Sequence, residues 1–192
     1  MKIIKTVLVF LFITFFVTAC INYKELDDLI LISAIGIDYD GESFSLILQE
    51  VHGKDEIENT KYEYVYHKVN CIEINDCINK SNHISDKELY FFTTETIIMN
   101  KEVMQVLLPN LHTLFSDIND HAFVFTTEED ILTLFEMENN FQYINNINDT
   151  DLNMLMILKR NILSNQKVYI PVLGIVDDEI IIQNILHKRI YL

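Results

Sequence analysis

The sequence is poor in the residues and spacings that build most catalytic sites. Its 192 residues include only four glycines, and neither a Gly-x-Ser-x-Gly turn nor a glycine-rich phosphate loop occurs. Six histidines are present, but none is spaced from another as on a metal-binding helix. No serine or cysteine nucleophile can be matched with a base by its spacing. The sequence therefore predicts that the protein is not an enzyme and has no catalytic residue, cofactor or metal site.

Basic residues are scarce as well. The chain has 14 Lys and Arg against 29 Asp and Glu, which gives a formal net charge of −15 at pH 7. A surface this acidic repels the phosphates of nucleic acids and the headgroups of anionic lipids. We therefore expect no nucleic-acid partner, and any attachment to a membrane must rest on something other than a basic patch.

The N-terminus has the three parts of a lipoprotein signal peptide. Lys2 and Lys5 form a short cationic start, and an apolar segment follows from Thr6 to Val17. Val17-Thr18-Ala19-Cys20 then matches the lipobox of bacterial lipoproteins, in which small residues fit the signal peptidase and the cysteine thiol carries a diacylglyceryl group. We expect residues 1–19 to be removed as a signal peptide. Cys20 is the expected lipidation site, with an S-diacylglyceryl group and an acylated amine.

An uncleaved transmembrane anchor is the alternative interpretation of this segment. About 20 apolar residues are needed to span a bilayer, and this run is shorter and ends in a processing site. Two acyl chains on one cysteine are enough for stable anchoring. The sequence therefore predicts a protein on the extracytoplasmic face of a membrane, held there by palmitate or similar chains on Cys20.

The rest of the chain is organised around one hairpin. Leu29–Ile37 is a nearly unbroken, Ile-rich apolar run, which is typical of a strand covered on both faces. Asp40-Gly41 is a strong hairpin signal, because both residues tolerate positive φ. Ser43–Val51 then returns as a second strand, with Leu46 and Leu48 on one face.

The remaining segments predict an α+β fold, a mixed β-sheet around this central hairpin, flanked by several short helices and followed by a C-terminal β-hairpin. Pro109 kinks or divides one helix, Thr126 and Glu129 form the capping box of another, and Pro171 suits an edge strand. Further strands are expected at Tyr62–Val69, Leu89–Met99, Ala122–Phe125, Val168–Val176 and Ile180–Ile185, and helices at Cys71–Ser81, Glu102–Ser116, Thr126–Met137 and Asp151–Ser164.

Four segments follow from these assignments. They are the signal peptide (1–19), a polar tether (20–28), an N-terminal α+β domain (29–165) and a β-hairpin (166–192) that is the incomplete start of a second domain. An isolated hairpin is marginal in water. The last segment is therefore expected either to fold back on the first domain or to be mobile.

Two cysteines remain once Cys20 is lipidated. If residues 70–81 are helical, Cys71 and Cys77 lie on different turns and point in diverging directions, which disfavours a disulfide. Their spacing matches no metal site either. Two small buried thiols are therefore expected.

Two further motifs have both a functional and a structural interpretation. Tyr62, Tyr64 and Tyr66 line one face of a predicted strand, where they could form a ligand-stacking surface, although sheet packing with the hydroxyls in water is favoured. Asp38-Tyr39-Asp40-Gly41 looks like the opening of a calcium loop, but Ile47 stands where that loop needs a Glu. A tight hairpin explains the same residues.

Several stretches together resemble a known family. Glu25-Leu26-Asp27-Asp28-Leu29 follows the lipobox cysteine, and Ala34-Ile35-Gly36-Ile37-Asp38 ends the first strand. Lys87-Glu88-Leu89-Tyr90-Phe91 enters a later strand, and Ile170-Pro171-Val172-Leu173 lies near the C-terminus. In this order they are similar to the Ger(x)C lipoproteins, the C subunits of spore germinant receptors.

The resemblance implies a lipid-anchored, non-enzymatic subunit of a spore germinant-receptor-like complex in a sporulating Gram-positive bacterium. Its partners would be the polytopic A and B subunits, which it would contact on the outer face of the spore inner membrane, held there by the lipid on Cys20. Members of the family are longer and have three domains. The chain is therefore expected to be a shortened or divergent member, with the first domain and the opening hairpin of the second.

Two other functions stay open at this point. An unrelated lipid-anchored solute-binding or sensor lipoprotein would use the tyrosine-lined sheet as its pocket. An exported hydrolase is the third candidate.

Overall fold

A computed structural model describes residues 26–55, 60–115, 117–137 and 168–188. The predicted signal peptide, Cys20, most of the tether, the loop 138–150 and the helix Asp151–Ser164 lie outside these residues. The described elements are a 3₁₀ turn (Leu26–Asp28), β1 (Leu29–Tyr39), β2 (Phe44–Asp55), β3 (Thr60–Cys71), α1 (Ile74–Ser81), β4 (Glu88–Tyr90), β5 (Thr96–Asn100), α2 (Lys101–Leu107), a second 3₁₀ turn (Leu108–Asn110), α3 (Leu111–Leu114), β6 (Phe123–Thr127), α4 (Ile131–Glu136), β7 (Val168–Val176) and β8 (Glu179–Lys188).

The described strands form one mixed sheet. Its order is β3-β2-β1-β5-β6-β7-β8, with β4 beside the first residues of β1. The pairs β1–β2, β2–β3 and β7–β8 are antiparallel, whereas β4 and β5 run parallel to β1, β6 to β5, and β7 to β6. The α+β class, the mixed sheet around the N-terminal hairpin and the C-terminal hairpin are therefore confirmed. Because β1, β5, β6 and β7 are parallel, their carboxyl ends meet at one edge of the sheet.

β1 is covered on both faces, as its apolar run predicts. Ile30, Ile32, Ile35 and Ile37 point to one face, where none is more than 3% exposed, and Ala34 points to the other. The step of three from Ile32 to Ile35 breaks the period of two. A β-bulge accommodates the extra residue, since the pairing of β1 with β2 shifts its register at this point. Without the bulge, the last two isoleucines would turn to the opposite face.

Two apolar clusters lie on the two faces of the sheet. The larger one, which includes Phe91 and Phe115, is completed by α1, α2 and α3. The smaller one lies under α4, whose Phe135 is buried against the sheet. Gly36 permits this close approach, because a Cβ added there would lie 2.5 Å from Cγ2 of Ile131. The helices thus pack on both sides of β1.

The prediction of Leu89–Met99 as one strand is wrong. The segment divides into β4 and β5, which pair with successive parts of β1. In the turn between them, the hydroxyls of Thr93 and Thr94 donate to the carbonyl oxygen of Ile32, at 3.0 and 3.1 Å. The interruption therefore lies beside the bulge in β1. The apolar pattern does not reveal it, because both halves continue along the same neighbouring strand.

Pro109 divides the predicted helix Glu102–Ser116 into two, which is one of the two outcomes expected from its position. The side chain of Asn100 caps α2 by accepting the backbone N–H of Glu102, at 2.8 Å. The 3₁₀ turn that contains Pro109 then leads into α3. Since proline has no N–H to donate, it does not continue the hydrogen bonds of α2.

The predicted capping box of Thr126 and Glu129 is wrong. α4 begins at Ile131, and its N-cap is Asp130, whose carboxylate accepts the backbone N–H of Thr133 at 2.8 Å. The two threonines that end β6 remain in the strand, because β6 pairs there with both β5 and β7. Pairing on both sides of β6 therefore decides where the helix starts.

These two threonines provide a matched pair of variants. Both are fully buried. Within the described part of the chain, the Thr126 hydroxyl has no hydrogen-bond partner. The Thr127 hydroxyl donates to the carbonyl of Leu173 and accepts the backbone N–H of Glu129. A buried hydroxyl without a partner costs about 1–3 kcal/mol, and so does a buried partner that is left unpaired when a hydroxyl is removed.

Thr126→Val is therefore expected to raise the free energy of unfolding by about 1 kcal/mol, and Thr127→Val to lower it by about 1–3 kcal/mol. Urea denaturation of a soluble version that begins at Asn22 measures both changes. A loss of stability in Thr126→Val similar to that in Thr127→Val would show that the first hydroxyl has a partner after all.

The C-terminal hairpin extends the sheet beyond β6. β7 pairs with β6 at Val172 and Leu173, and Ile170 and Leu173 are buried in the two clusters. β7 therefore lies inside the sheet and is not the edge strand that Pro171 predicts. The ladder with β6 is only two residues long and begins just after this proline. The hairpin thus packs on the first domain, whereas the domain boundary at residue 166 stays a prediction.

Candidate functional site

Cys71 and Cys77 form a disulfide, so the prediction of two buried thiols is wrong. That prediction assumed a helix from residue 70, but Cys71 ends β3 and α1 begins only at Ile74. Cys77 then lies in the first turn of α1, with a Cα–Cα distance of 5.4 Å to Cys71, which suits a disulfide. The bond joins the end of β3 to the helix that packs beside it.

The tyrosine row of β3 has a packed part and an exposed part. The hydroxyl of Tyr66 donates to the carbonyl oxygen of Phe135 at 2.6 Å, and the two rings lie 6.3 Å apart. Tyr62 and Tyr64 lie beyond α4 and are 60% and 45% exposed. Burial raises the pKa of Tyr64, and the nearby carboxylate of Glu95 raises it further. The expected packing is confirmed for Tyr66, but its hydroxyl bonds to the backbone and is not in water as expected. The outer two tyrosines form an open surface.

Two aromatic residues extend this surface on the same face of the sheet. They lie beside β1, on the side away from β2 and β3. Tyr90 in β4 pairs with Leu31, which points to the α4 side of the sheet because its neighbours in β1 point to the larger cluster. The ring of Tyr90 lies 6.1 Å from that of Phe92, which is 60% exposed. Half-buried Val51 pairs with Tyr64, and half-buried Leu31 pairs with Tyr90. We call Tyr62, Tyr64, Tyr90 and Phe92 the aromatic band.

The calcium-like motif serves the hairpin between β1 and β2. The carboxylate of Asp40 accepts the backbone N–H groups of Glu42 and Ser43 and the Ser43 hydroxyl, at 2.8 to 3.1 Å. These donors lower the pKa of Asp40, and the backbone N–H of Ser43 has the largest effect. Gly41 has a φ of +96°, which favours glycine at this position. The hairpin interpretation of this motif is therefore confirmed.

A histidine–carboxylate cluster joins β2 and β3 and was missed by the sequence analysis. The two carboxylate oxygens of Glu50 lie 2.9 Å from Nε2 of His52 and 2.7 Å from Nε2 of His67. Glu50 and His52 share a face of β2, but the neighbour on β3 depends on the register of the two strands. Nothing in the spacing of the histidines shows that register. Among the described residues, no group of three side chains is placed to hold a metal ion.

A cleft of about 620 Å³ opens on the opposite face of the sheet from the aromatic band. It lies beside α1, α3 and β4, and none of the tyrosines lines it. Its floor is apolar and its rim is mainly acidic. The residues of the floor are Leu89, Phe91 and Phe115, and the charged residues of the rim are Asp86, Lys87, Glu88 and Asp117. This cleft is therefore not the tyrosine-lined pocket that a solute-binding function predicts.

Cys20, the predicted lipidation site, lies outside the described residues, so its modification stays a prediction. The described part begins at Leu26, six residues further along the chain. None of the helices in this part is both long enough and apolar enough to cross a membrane.

One comparison with known proteins gives a match. A family model described as the spore germination protein N-terminal domain matches residues 22–167. The match begins two residues after Cys20, includes every described element from β1 to α4, and ends before β7. No curated protein and no solved structure matches the chain.

Proposed function

Because the chain belongs to the family of the spore germination protein N-terminal domain, we propose that it is a lipid-anchored, non-enzymatic subunit of a spore germinant-receptor-like complex. The family match supports a role in spore germination. In the proposal, Cys20 holds the domain on the extracytoplasmic face of the spore inner membrane, where polytopic A and B subunits are its partners. The observation that carries the proposal is the family match that starts two residues after a lipobox cysteine.

The disulfide supports an extracytoplasmic location independently of the signal peptide. Disulfides form and persist in oxidising compartments, while thiols are kept reduced in the cytosol. The bond between Cys71 and Cys77 closes a short loop between β3 and α1. A domain that folds outside the cytoplasm would form this bond as it folds.

The polar contacts of the described residues support a role through contact rather than catalysis. The carboxylate of Asp40 is occupied by its own turn, and that of Glu50 by two histidines. Lys101 and Glu128 form an ion pair on the surface, which lowers the pKa of Glu128. These groups hold turns and strands together. The proposed mechanism is therefore docking of an acidic domain, positioned by its lipid, on the membrane-embedded subunits.

The lipidation of Cys20 is tested by metabolic labelling with a fatty-acid analogue. The wild-type chain is expected to carry the label and to sediment with membranes, because the diacyl group provides two anchoring chains. Cys20→Ala is expected to lose the label and to leave the membrane fraction. Cys71→Ala is the matched control and is expected to keep both. Label retained by Cys20→Ala, or label lost by Cys71→Ala, would contradict the assignment.

A further inference from the structure

The aromatic band lies at the end of the sheet where the chain enters it. Tyr62 is opposite Gly53 near the end of β2, and Tyr90 is beside Leu31 near the start of β1. α4 covers the adjacent part of the same face and reaches only as far as Tyr66. The band therefore continues the apolar face of the sheet into an exposed surface.

The composition of the band is typical of groups that sit at a membrane–water interface. Tyrosine and other aromatic rings are favoured there, because the ring enters the apolar boundary while a hydroxyl stays in water. Tyr62 and Phe92, at the two sides of the band, are each 60% exposed. Burial raises the pKa of Tyr64, and the neighbouring negative charge of Glu95 raises it further.

The length of the tether restricts which end of the domain can reach the bilayer. Leu26 lies six positions after Cys20, and a chain of this length extends over at most about 20 Å. β1 has 11 residues, which corresponds to roughly 35 Å at about 3.3 Å per residue. A lipid on Cys20 therefore holds the start of β1 near the membrane and leaves the turn at the end of β1 further away.

The edge of the sheet at the far end of β1 is strongly acidic. The turns that follow β1, β6 and β7 all lie at the opposite edge of the sheet, and all are acidic. These turns and the strand residues next to them contain Asp38, Asp40, Glu42, Glu128, Glu129, Asp130, Asp177, Asp178 and Glu179. Carboxylates lose hydration free energy at an apolar boundary, so this edge is expected to face water. Asp27, Asp28, Glu63, Glu88 and Glu95 are exposed near the aromatic band, so charge alone does not select one end. Contact is expected with zwitterionic headgroups more than with anionic ones.

From these observations we infer that the aromatic band rests on the lipid bilayer and orients the domain with the start of β1 toward the membrane. The inference depends on the proposed lipid anchor at Cys20. The band adds a second contact, which fixes the orientation of a domain that a lipid attachment at one residue would leave free to rotate. The band could instead contact a membrane-embedded protein. Vesicles without any such protein test contact with the bilayer alone.

Tryptophan fluorescence provides the test, because the natural chain has no tryptophan. Tyr62→Trp and Phe92→Trp each place one reporter in the band, at sites exposed enough to accept the larger ring. Glu42→Trp places the matched control in the exposed turn at the far end of β1. Each full-length lipidated variant is reconstituted in vesicles of phosphatidylcholine or of its dibrominated form, whose bromines quench nearby tryptophan.

We expect dibrominated lipid to lower the emission at positions 62 and 92 about twofold, as for a ring at the interface, and to leave position 42 unchanged. Vesicle-bound protein with no quenching at 62 and 92 would overturn the inference and leave the anchor intact. Equal quenching at all three positions would also overturn it, since the domain would then have no preferred end. Protein that does not bind the vesicles would overturn the lipid anchor and the inference together.

Discussion

Replacing Ile35 with alanine is expected to lower the free energy of unfolding by about 2–5 kcal/mol. Ile35 is fully buried in β1 and belongs to the larger cluster. Its neighbours on both sides are paired strands, so the cavity left by the missing methyl groups can close only partly. Urea denaturation of the soluble version that begins at Asn22 measures the change.

Ile72→Ala is the matched control for this variant. Ile72 lies between β3 and α1 and is 78% exposed. The same substitution is therefore expected to change the free energy of unfolding by no more than about 0.5 kcal/mol. Equal effects of the two variants would mean that β1 is not the buried centre of the sheet.

Reduction of the disulfide is expected to lower the free energy of unfolding by about 2 kcal/mol. Cys71 and Cys77 are six residues apart, so the bond restricts a short loop of the unfolded chain, and short loops give the smaller stabilisations of this kind. Urea denaturation with and without dithiothreitol measures the change.

The double variant Cys71→Ala and Cys77→Ala is the control for the effect of the reductant itself. Its stability is expected to be the same with and without dithiothreitol. Alkylation followed by mass spectrometry detects the bond directly in the protein purified without reductant. Two alkylated cysteines at positions 71 and 77 in that sample would contradict the disulfide.

The hairpin and the alternating strands could be predicted because short-range patterns determine them. The apolar run of β1, the turn at Gly41 and the alternation in β3 lie at or close to their predicted positions. In β1 and β2 most of the apolar side chains are buried, and a shift of one residue would move them to the opposite face of the sheet. Local pattern and burial therefore favour the same structure.

The errors arise where a contact between distant segments decides a local boundary. Thr126 was assigned to a capping box because its spacing to Glu129 fits one, but pairing with β5 and β7 keeps it in a strand. The start of α1 was placed three residues too early, and this difference changed two expected thiols into a disulfide. An error of a few residues in the start of the helix was thus enough to predict two thiols where Cys71 and Cys77 form a disulfide.

Prediction of the candidate surfaces would require the register of the paired strands, which the sequence does not show. The contact of Glu50 with His67 depends on how β2 pairs with β3. The aromatic band depends on the parallel pairing that places Tyr90 beside Leu31. Individual residues of both features could be named in the sequence, but their neighbours across the sheet could not.

Spore germination with a Cys20→Ala chain tests the central proposal most directly. Spores with the wild-type chain, with Cys20→Ala and without the chain are exposed to the same nutrient mixtures, and the loss of optical density is followed. Immunoblotting confirms that the variant chain is present. We predict that spores without the chain germinate more slowly in at least one mixture and that Cys20→Ala spores match them. Cys20→Ala spores that germinate at the wild-type rate in that mixture would contradict a lipid-anchored role in germination.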